Sequence, residues 1–297
     1  MVGLFGLARQ RWDSAPGVRG VLYMLLYTFA STGMHGLVRY LSVDVPTFEL
    51  VFFRNLFGFL CLLPWLIRSG FVGFRSARLW VHGLRGLLGI AGITSWFYGL
   101  SLLPLAEATA LNFTATIFTT LGAALFLGET MYARRWLAVA VGFGGVLVML
   151  RPGIESISFG AIVVIVSALL WSGSLLVLKR LAGADSPVTI VGTLYVFLIL
   201  FSIGPALYVW RTPDAITLVW LAVMGAVSAV SHLTLAKAFE AAEAGKLMPL
   251  DFTRLVWAAL IGWLALAEIP DLWTWIGGTL IFLGSMLTSM RERSKTG

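Results

Sequence analysis

Two charged residues stand inside an apolar stretch late in the sequence: Asp251 and, three positions on, Arg254. Residues three apart on a helix share a face, so the carboxylate and guanidinium can pair with each other or hold charges on a third body. The chemistry on offer is ion binding, with Arg254 attracting a carboxylate and Asp251 an ammonium or a proton. The structural alternative is that they neutralise each other and pin their helix to a neighbour. Trp257, a further three residues on, adds a ring suited to stacking and cation–π contact. Trp96, Tyr98 and Trp171 offer the same chemistry in other apolar runs, with packing against lipid as the alternative for each. His35 and His232 belong to the residue type that titrates near neutral pH, or else are hydrogen-bonded packing residues. Together with His82 they fall in three different segments, so nothing groups them as metal ligands or as an acid–base pair, and no metal or cofactor is expected.

The elements that must carry these residues follow from composition. Of 297 residues 59% are hydrophobic and only 12% charged, with a mean hydropathy of +0.92, which excludes a soluble globular domain. About 20 apolar residues span a hydrocarbon layer as helix, and a barrel would show ~10-residue alternating strands instead. Ten runs of helical length are present, at 18–41, 46–67, 78–101, 104–127, 134–150, 158–180, 187–209, 214–239, 246–267 and 271–290. Fourteen Lys and Arg residues fall in the loops of one side, Arg9, Arg134, Arg135 and Lys246 among them, and three, Arg39, Arg151 and Arg211, on the other. The positive-inside rule therefore puts both termini in the cytoplasm and attributes the sequence pI near 9.9 to membrane topology rather than to nucleic acid. The first run follows basic residues as a signal peptide would, but lacks a small-residue cleavage site and reads as a retained helix. The single cysteine, Cys61, has no partner for an intrachain disulfide.

Measured from the end near Lys246, Asp251 lies ~8 Å and Arg254 ~12 Å into its span at 1.5 Å per residue. Neither is a loop charge. Arg54, beside Asn55, is ~12 Å inside the second span and reads as a structural bridge; Arg85 reads as a side chain that snorkels to headgroups. Glu49 is placed at an interface, and Glu107, after Pro104, at a helix N-terminus where the dipole favours it. Gly83, Gly86, Gly89 and Gly92 form a ridge at steps of three, by default a packing surface and otherwise a track for sliding. Pro249 removes a backbone bond where the ninth span begins, making it, with Gly89 and Gly92, a hinge candidate.

The phrase L-D-F-T at Leu250 occurs earlier as L-N-F-T at Leu111, and an ungapped offset of 139 aligns 10 identities over 35 positions, including Thr114/Thr253, Glu129/Glu268, Trp136/Trp275 and Gly145/Gly284. An internal duplication is implied, 1–152 and 153–297. Each half has five spans, an odd number, so the second enters the membrane inverted. The expected fold is an all-α polytopic membrane protein, ten transmembrane helices as two inverted five-helix repeats around a central cavity. The N-x-T of Asn112 lies inside a span, out of reach of glycosylation. Asn112 and Asp251 are equivalents, so the architecture is symmetric where the charge is not.

The stretch L-P-L-A-E-A-T-A-L-N-F-T-A-T-I-F-T-T-L-G-A-A-L-F-L-G-E from Leu103 to Glu129, with R-R-W at Arg134 to Trp136, resembles the EamA-type module of the drug/metabolite transporter superfamily. Leu250 to Glu268 repeats the resemblance, which covers nearly the whole chain. It implies a carrier of small organic metabolites whose cavity is formed mainly by spans 1, 3, 4, 6, 8 and 9; Glu129 and Glu268, at helix ends where they oppose the dipole, read from position alone as architectural and not as proton carriers. Within the superfamily the chain is similar to amino-acid exporters of bacterial plasma membranes, the aromatic type included; Arg254 and A-E-I-P-D at 267–271 resemble carriers for S-adenosylmethionine or riboflavin. Modules of this type commonly carry Pro where Thr116 and Leu255 stand, so the fourth-span kink is expected to be absent or moved to Pro249. Thr116 joins the cavity candidates at that position.

No phosphate loop, zinc spacing or nucleophile elbow is visible, which leaves primary pumping and enzyme chemistry without support. A scaffold or sensor would spend more sequence outside the bilayer. Transport of a small molecule follows, with the bilayer as surroundings, no nucleic acid, and a monomer as the expected state.

Overall fold

The computed structural model describes residues 16–68, 78–128, 133–151, 157–181, 185, 187–241 and 247–289. All regular structure among them is helical: α1 (Pro16–Leu41), α2 (Thr47–Arg68), α3 (Leu79–Leu102), a fourth span in two parts, α4a (Leu105–Asn112) and α4b (Thr114–Leu127), then α5 (Ala133–Leu150), α6 (Phe159–Leu181), α7 (Pro187–Tyr208), α8 (Ala215–Ala241), α9 (Thr253–Leu266) and α10 (Leu272–Ser289). A 3₁₀ turn, Met248–Phe252, leads into α9. The ten expected spans are therefore all present within a few residues of their expected ends. In α1, α2, the combined fourth span, α6 and α8 the helices are long and apolar enough to cross a membrane, and α5, α7 and α10 contain shorter apolar stretches. Large apolar side chains such as Leu125, Phe143, Trp263 and Leu264 face outward, as a lipid-facing surface requires.

Start signals are local. Asp214 accepts from Thr217 N at 3.0 Å ahead of α8, Asp271 accepts from Thr274 N at 2.7 Å ahead of α10, and the Ser158 hydroxyl accepts from Ala161 N at 3.2 Å ahead of α6, each satisfying a free first-turn N–H. At the other end α4b and α9 stop in the same way, at residues in left-handed conformation: Gly128 with φ 68° and Ala267 with φ 56°. These positions are equivalent under the 139-residue offset, and both N–H groups bond back to equivalent carbonyls, Ala123 and Gly262.

The two halves pack as images of each other. α1 packs on α8 as α6 packs on α3; α2 packs on α8 as α7 packs on α3; α9 packs on α1 as α4b packs on α6. α5 and α10 cross on the pseudo-two-fold axis with their backbones touching. A methyl group on Gly145 would lie 2.7 Å from the Gly277 carbonyl oxygen and from Ile281 N, and one on Gly284 would lie 2.6 Å from the Ala138 oxygen and Gly142 N. Residues 138, 142 and 145 are the equivalents of 277, 281 and 284, so each contact maps onto the other.

Ion pairs report the direction of the spans. The end of α1 meets the end of α9 through Arg39 and Glu268, the end of α5 meets the start of α10 through Arg151 and Asp271, and Glu49 at the start of α2 accepts from Arg211 N between α7 and α8. At the opposite ends, His82 near the start of α3 meets Asp185 between α6 and α7, and Arg180 near the end of α6 donates to the Phe126 carbonyl at the end of α4b. Every one of these pairs joins ends that strict up-and-down alternation puts on the same face. α1 consequently starts on one face and α6 on the other, which is the inverted repeat. The face where α1 starts and α10 ends is called the terminal face below, and the other the far face.

Candidate functional site

The repeated phrase marks two helix breaks. At Phe113 the α-helical pattern gives way to three-residue bonds, Phe113 N to Ala110 O at 3.2 Å and Thr116 N to Phe113 O at 3.1 Å, before α4b resumes. The 3₁₀ turn ahead of Thr253 does the same in the second half. In both, the threonine hydroxyl donates to the carbonyl three residues back: Thr114 to Leu111 at 2.6 Å and Thr253 to Leu250 at 2.7 Å. A side chain that bonds its own backbone competes with the helical ladder and bends it. The fourth-span kink is thus present without proline, which corrects the expectation that losing Pro at Thr116 removes it. Pro249 lies in the 3₁₀ turn as the hinge reading requires, although its side chain is outside the described residues.

The breaks meet at the centre. Phe113 and Phe252, again equivalents, lie 6.4 Å apart at 28°, and Phe282 of α10 closes the group at 6.0 and 4.4 Å. Arg254 Cζ sits 4.9 Å over the Phe113 ring while its Nη2 donates to Asp251 at 2.5 Å. The two break points are joined by an ion pair from one repeat laid on an aromatic ring from the other. The i, i+3 pairing expected from sequence is therefore made. Arg254 nevertheless faces a cavity, and its Nε has no hydrogen-bond partner.

That cavity holds about 140 Å³ and is walled by α1, α3, α4a, α6, α8 and α9, the spans implied by the resemblance, with one addition. α1 contributes Tyr27, Ser31 and His35; α3 contributes Gly92 and Trp96; Asn112 comes from α4a, Trp171 from α6, Ser231 and His232 from α8. Trp96 meets His35 edge-on at 5.2 Å. The addition is Arg54 of α2, 6% exposed, which donates through Nη1 to Asn55 Oδ1 at 2.8 Å and approaches His232 Nε2 at 3.5 Å. Sequence reasoning set Arg54 aside as a bridge, yet a signal was there. Arg54 has no acid three or four residues away, whereas Arg254 has Asp251.

Asn112, Trp96, Trp171, His35, His232 and Arg254 are thus brought together. Asp251 lies just outside, held by Arg254. Trp257 does not face the cavity: its Nε1 donates to the Thr28 hydroxyl at 3.3 Å and its ring meets Phe29 edge-on at 5.3 Å. Tyr98 is 43% exposed against Phe159 at the far end of α3, and Thr116 belongs to the break itself, its carbonyl accepting from Thr120. Of the hinge glycines, Gly92 lines the cavity where α3 and α6 nearly touch, a Cβ there lying 3.1 Å from Trp171 N, and its carbonyl accepts from Ser167; Gly89 packs against Ser174 and Leu198. Arg85 does not snorkel: it is 7% exposed and donates to the Ile190 carbonyl at 2.9 Å, tying α3 to α7. Glu49, at the far-face end of α2, is covered by the α7–α8 connection, from which Arg211 N donates to it.

Toward the far face a clasp covers the cavity. Glu268 accepts from Arg39 Nε at 2.9 Å and from Leu105 N at 2.7 Å, and Arg39 Nη1 donates to the Ser101 carbonyl at 2.8 Å, so one carboxylate ties the ends of α1, α3 and α9 to the start of α4a. Arg39 is one turn beyond His35. The equivalent Glu129 lies outside the described residues, as do the side chains of Arg134 and Arg135. A separate surface depression of about 310 Å³ on the far face contains Glu107, Arg151 and Asp271. Toward the terminal face, Met24, Ala238 and Leu247 pack with Tyr23, Tyr27 and Leu250 beneath the cavity.

A duplicated bundle with its two breaks meeting beside a central cavity matches one known protein family twice, over residues 18–151 and 158–290. The chain belongs to the EamA-like transporter family. Full-length relatives agree. A riboflavin transporter of Rhizobium johnstonii is 34% identical over 283 residues, covering 94% of each chain. An S-adenosylmethionine uptake transporter of Rickettsia bellii is 29% identical, covering 92% of this chain and 94% of its own, and a pseudopaline exporter of Pseudomonas aeruginosa is 30% identical, covering 92% and 97%. A solved crystal structure shares the fold at a TM-score of 0.62 and 18% identity, covering 92% of this chain and 96% of the other. As an EamA-like transporter, the protein is a multi-pass membrane carrier and not an enzyme.

Proposed function

We propose that the protein is a secondary transporter that moves a small metabolite with a planar aromatic group across the plasma (inner) membrane by alternating access. The observation that carries this reading is the cavity where the two breaks converge, with Trp96, Trp171 and the Phe113-backed guanidinium of Arg254 on its walls. Rings and a guanidinium stack on a planar cargo, and the few polar groups orient it. The cavity is smaller than the ~300 Å³ common for ligand sites, so binding of a ring-sized cargo requires the walls to move apart. The unequal distribution of Lys and Arg supports cytoplasmic termini, and the equivalence of the two helix breaks supports reading 1–152 and 153–297 as the two repeats. A monomer suffices for this mechanism, since the cavity is walled by one chain.

The cargo reading that similarity supports is flavin-like, after the relative at 34% identity. The second reading is the amino-acid exporter, aromatic or neutral, supported by the guanidinium available for a carboxylate. It is weaker at the ammonium end, because Asp251 is already bonded to Arg254. Proteoliposomes containing the purified protein, preloaded with riboflavin or with labelled aromatic amino acids, test both, with and without a pH gradient and in both directions. Saturable movement of the flavin, lost in Trp171→Ala, supports the first reading; movement of the amino acids alone supports the second. Transport of neither class overturns the aromatic-cargo proposal.

A further inference from the structure

The wall of the cavity carries an imbalance of charge. Arg254 has Asp251, but Arg54 has no carboxylate within reach among the described residues, and its contacts are an amide oxygen and a histidine ring. Its Nε and the neighbouring Asn55 Nδ2 are both buried without a hydrogen-bond partner. A guanidinium 6% exposed in the middle of a span is held there at a large desolvation penalty unless something offsets it. Buried polar groups in folded proteins are nearly always bonded, so an incompletely bonded guanidinium on the cavity wall, with a second orphaned donor on the next residue, points to a ligand that completes it. Asn55 fixes the guanidinium through Nη1, the Nη2 edge lies toward His232, and Arg54 stands where α2 meets α8. Even with both histidines neutral, Arg54, Arg254 and Asp251 leave the site with one more positive charge than negative.

We propose that Arg54, supported by Asn55 and His232, forms an anion subsite, and that the cargo carries a carboxylate or phosphate that docks there while its planar part lies between the tryptophans. The proposal rests on the aromatic-cargo reading and sharpens it: a cargo with an anionic end and no ammonium is preferred over a zwitterion and over a neutral aromatic. Arg54 is a specificity-determining residue, since a guanidinium offers paired N–H donors to a planar oxyanion that a lysine cannot match.

Matched probes test it on the full chain in lipid nanodiscs, with binding read by isothermal titration calorimetry. One pair is 3-indolepropionate and its neutral amide, the other riboflavin 5′-phosphate and riboflavin; the first asks for a carboxylate, the second for a phosphate, and tryptophan serves as the zwitterion. The expected result is at least tenfold tighter binding of the anionic member of one pair, weaker binding of tryptophan than of 3-indolepropionate, and loss of the preference in Arg54→Gln with partial recovery in Arg54→Lys. Should Arg54→Gln fail to fold, Arg254→Gln replaces it: the preference must survive there, and its disappearance assigns the subsite to Arg254 and overturns the proposal. Equal binding within both pairs overturns the anion subsite while leaving the aromatic reading intact. If no member of either pair binds, the aromatic reading falls and the subsite with it.

Discussion

The bonds of Glu268 to Arg39 and Leu105 are expected to hold the far-face helix ends together and so to limit opening of the cavity on that face. In Glu268→Gln the side chain keeps its shape, but one of its two oxygens becomes an NH₂. Whichever way the amide turns, either Arg39 Nε or Leu105 N then faces a donor instead of an acceptor. Bonds to a charged group are worth roughly 1.5–3 kcal/mol against 0.5–1.5 for neutral ones, and an orphaned buried N–H costs about 1–3. The Arg39 and Glu268 side chains are 26% and 14% exposed, so solvent screening lowers the sum. About 2 kcal/mol remains, roughly a 30-fold increase in the ratio of open to closed conformations at 1.4 kcal/mol per decade. The assay uses a chain with Cys61, its one cysteine, changed to serine and with Ser31→Cys as a reporter in the cavity wall. A membrane-impermeant maleimide applied from the far face should label the Glu268→Gln protein about 30 times faster than the Glu268 protein. From the terminal face the rate should be unchanged. A far-face rate within twofold of the parent refutes the clasp, and an equal rise from both faces shows general loosening instead.

Other outcomes follow from the breaks and their ends. Ala267 holds a left-handed conformation that its equivalent achieves with Gly128, so Ala267→Gly should stabilise the fold by about 0.5–1 kcal/mol after the entropy cost of glycine is subtracted, and raise the thermal unfolding temperature. Differential scanning fluorimetry in detergent measures it, and a drop in midpoint would show that the conformation is not strained. Thr114→Val and Thr253→Val remove the hydroxyls that bond Leu111 and Leu250, so each should slow turnover in proteoliposomes several-fold while leaving unfolding temperatures within a few degrees. Unaltered turnover in both would mean that the breaks are held by the backbone and aromatic packing alone.

Span positions were legible in the sequence because each apolar run is bounded by charge or turn residues, and the equivalence of Asn112 and Asp251 was legible because the phrase around them repeats. The breaks themselves were not, since the bending agent is a threonine hydroxyl rather than proline, and Ser or Thr in a span more often bonds without breaking it. Trp257 is displaced for a different reason. Both residues lie within α9, but three residues turn an α-helix by about 300°, so Trp257 points about 60° away from Arg254, and its ring ends on Phe29. Arg54 was undervalued because the spans implied by family resemblance left out α2, although the lack of any nearby acid in sequence distinguished it from Arg254. Six of ten cavity candidates nonetheless arrive at one place, because mid-span polar and aromatic residues in a lipid-facing bundle have few locations other than its interior.

The crossing of α5 and α10 has a mechanical corollary. Exchanging the conformations of the two halves turns one end state of the carrier into the other, and a contact on the symmetry axis is unchanged by that exchange. Gly145 against 277 and 281 becomes Gly284 against 138 and 142, which already exists. This crossing can therefore act as a stationary bearing, while an off-axis tie such as Arg39 to Glu268 is not preserved by the exchange.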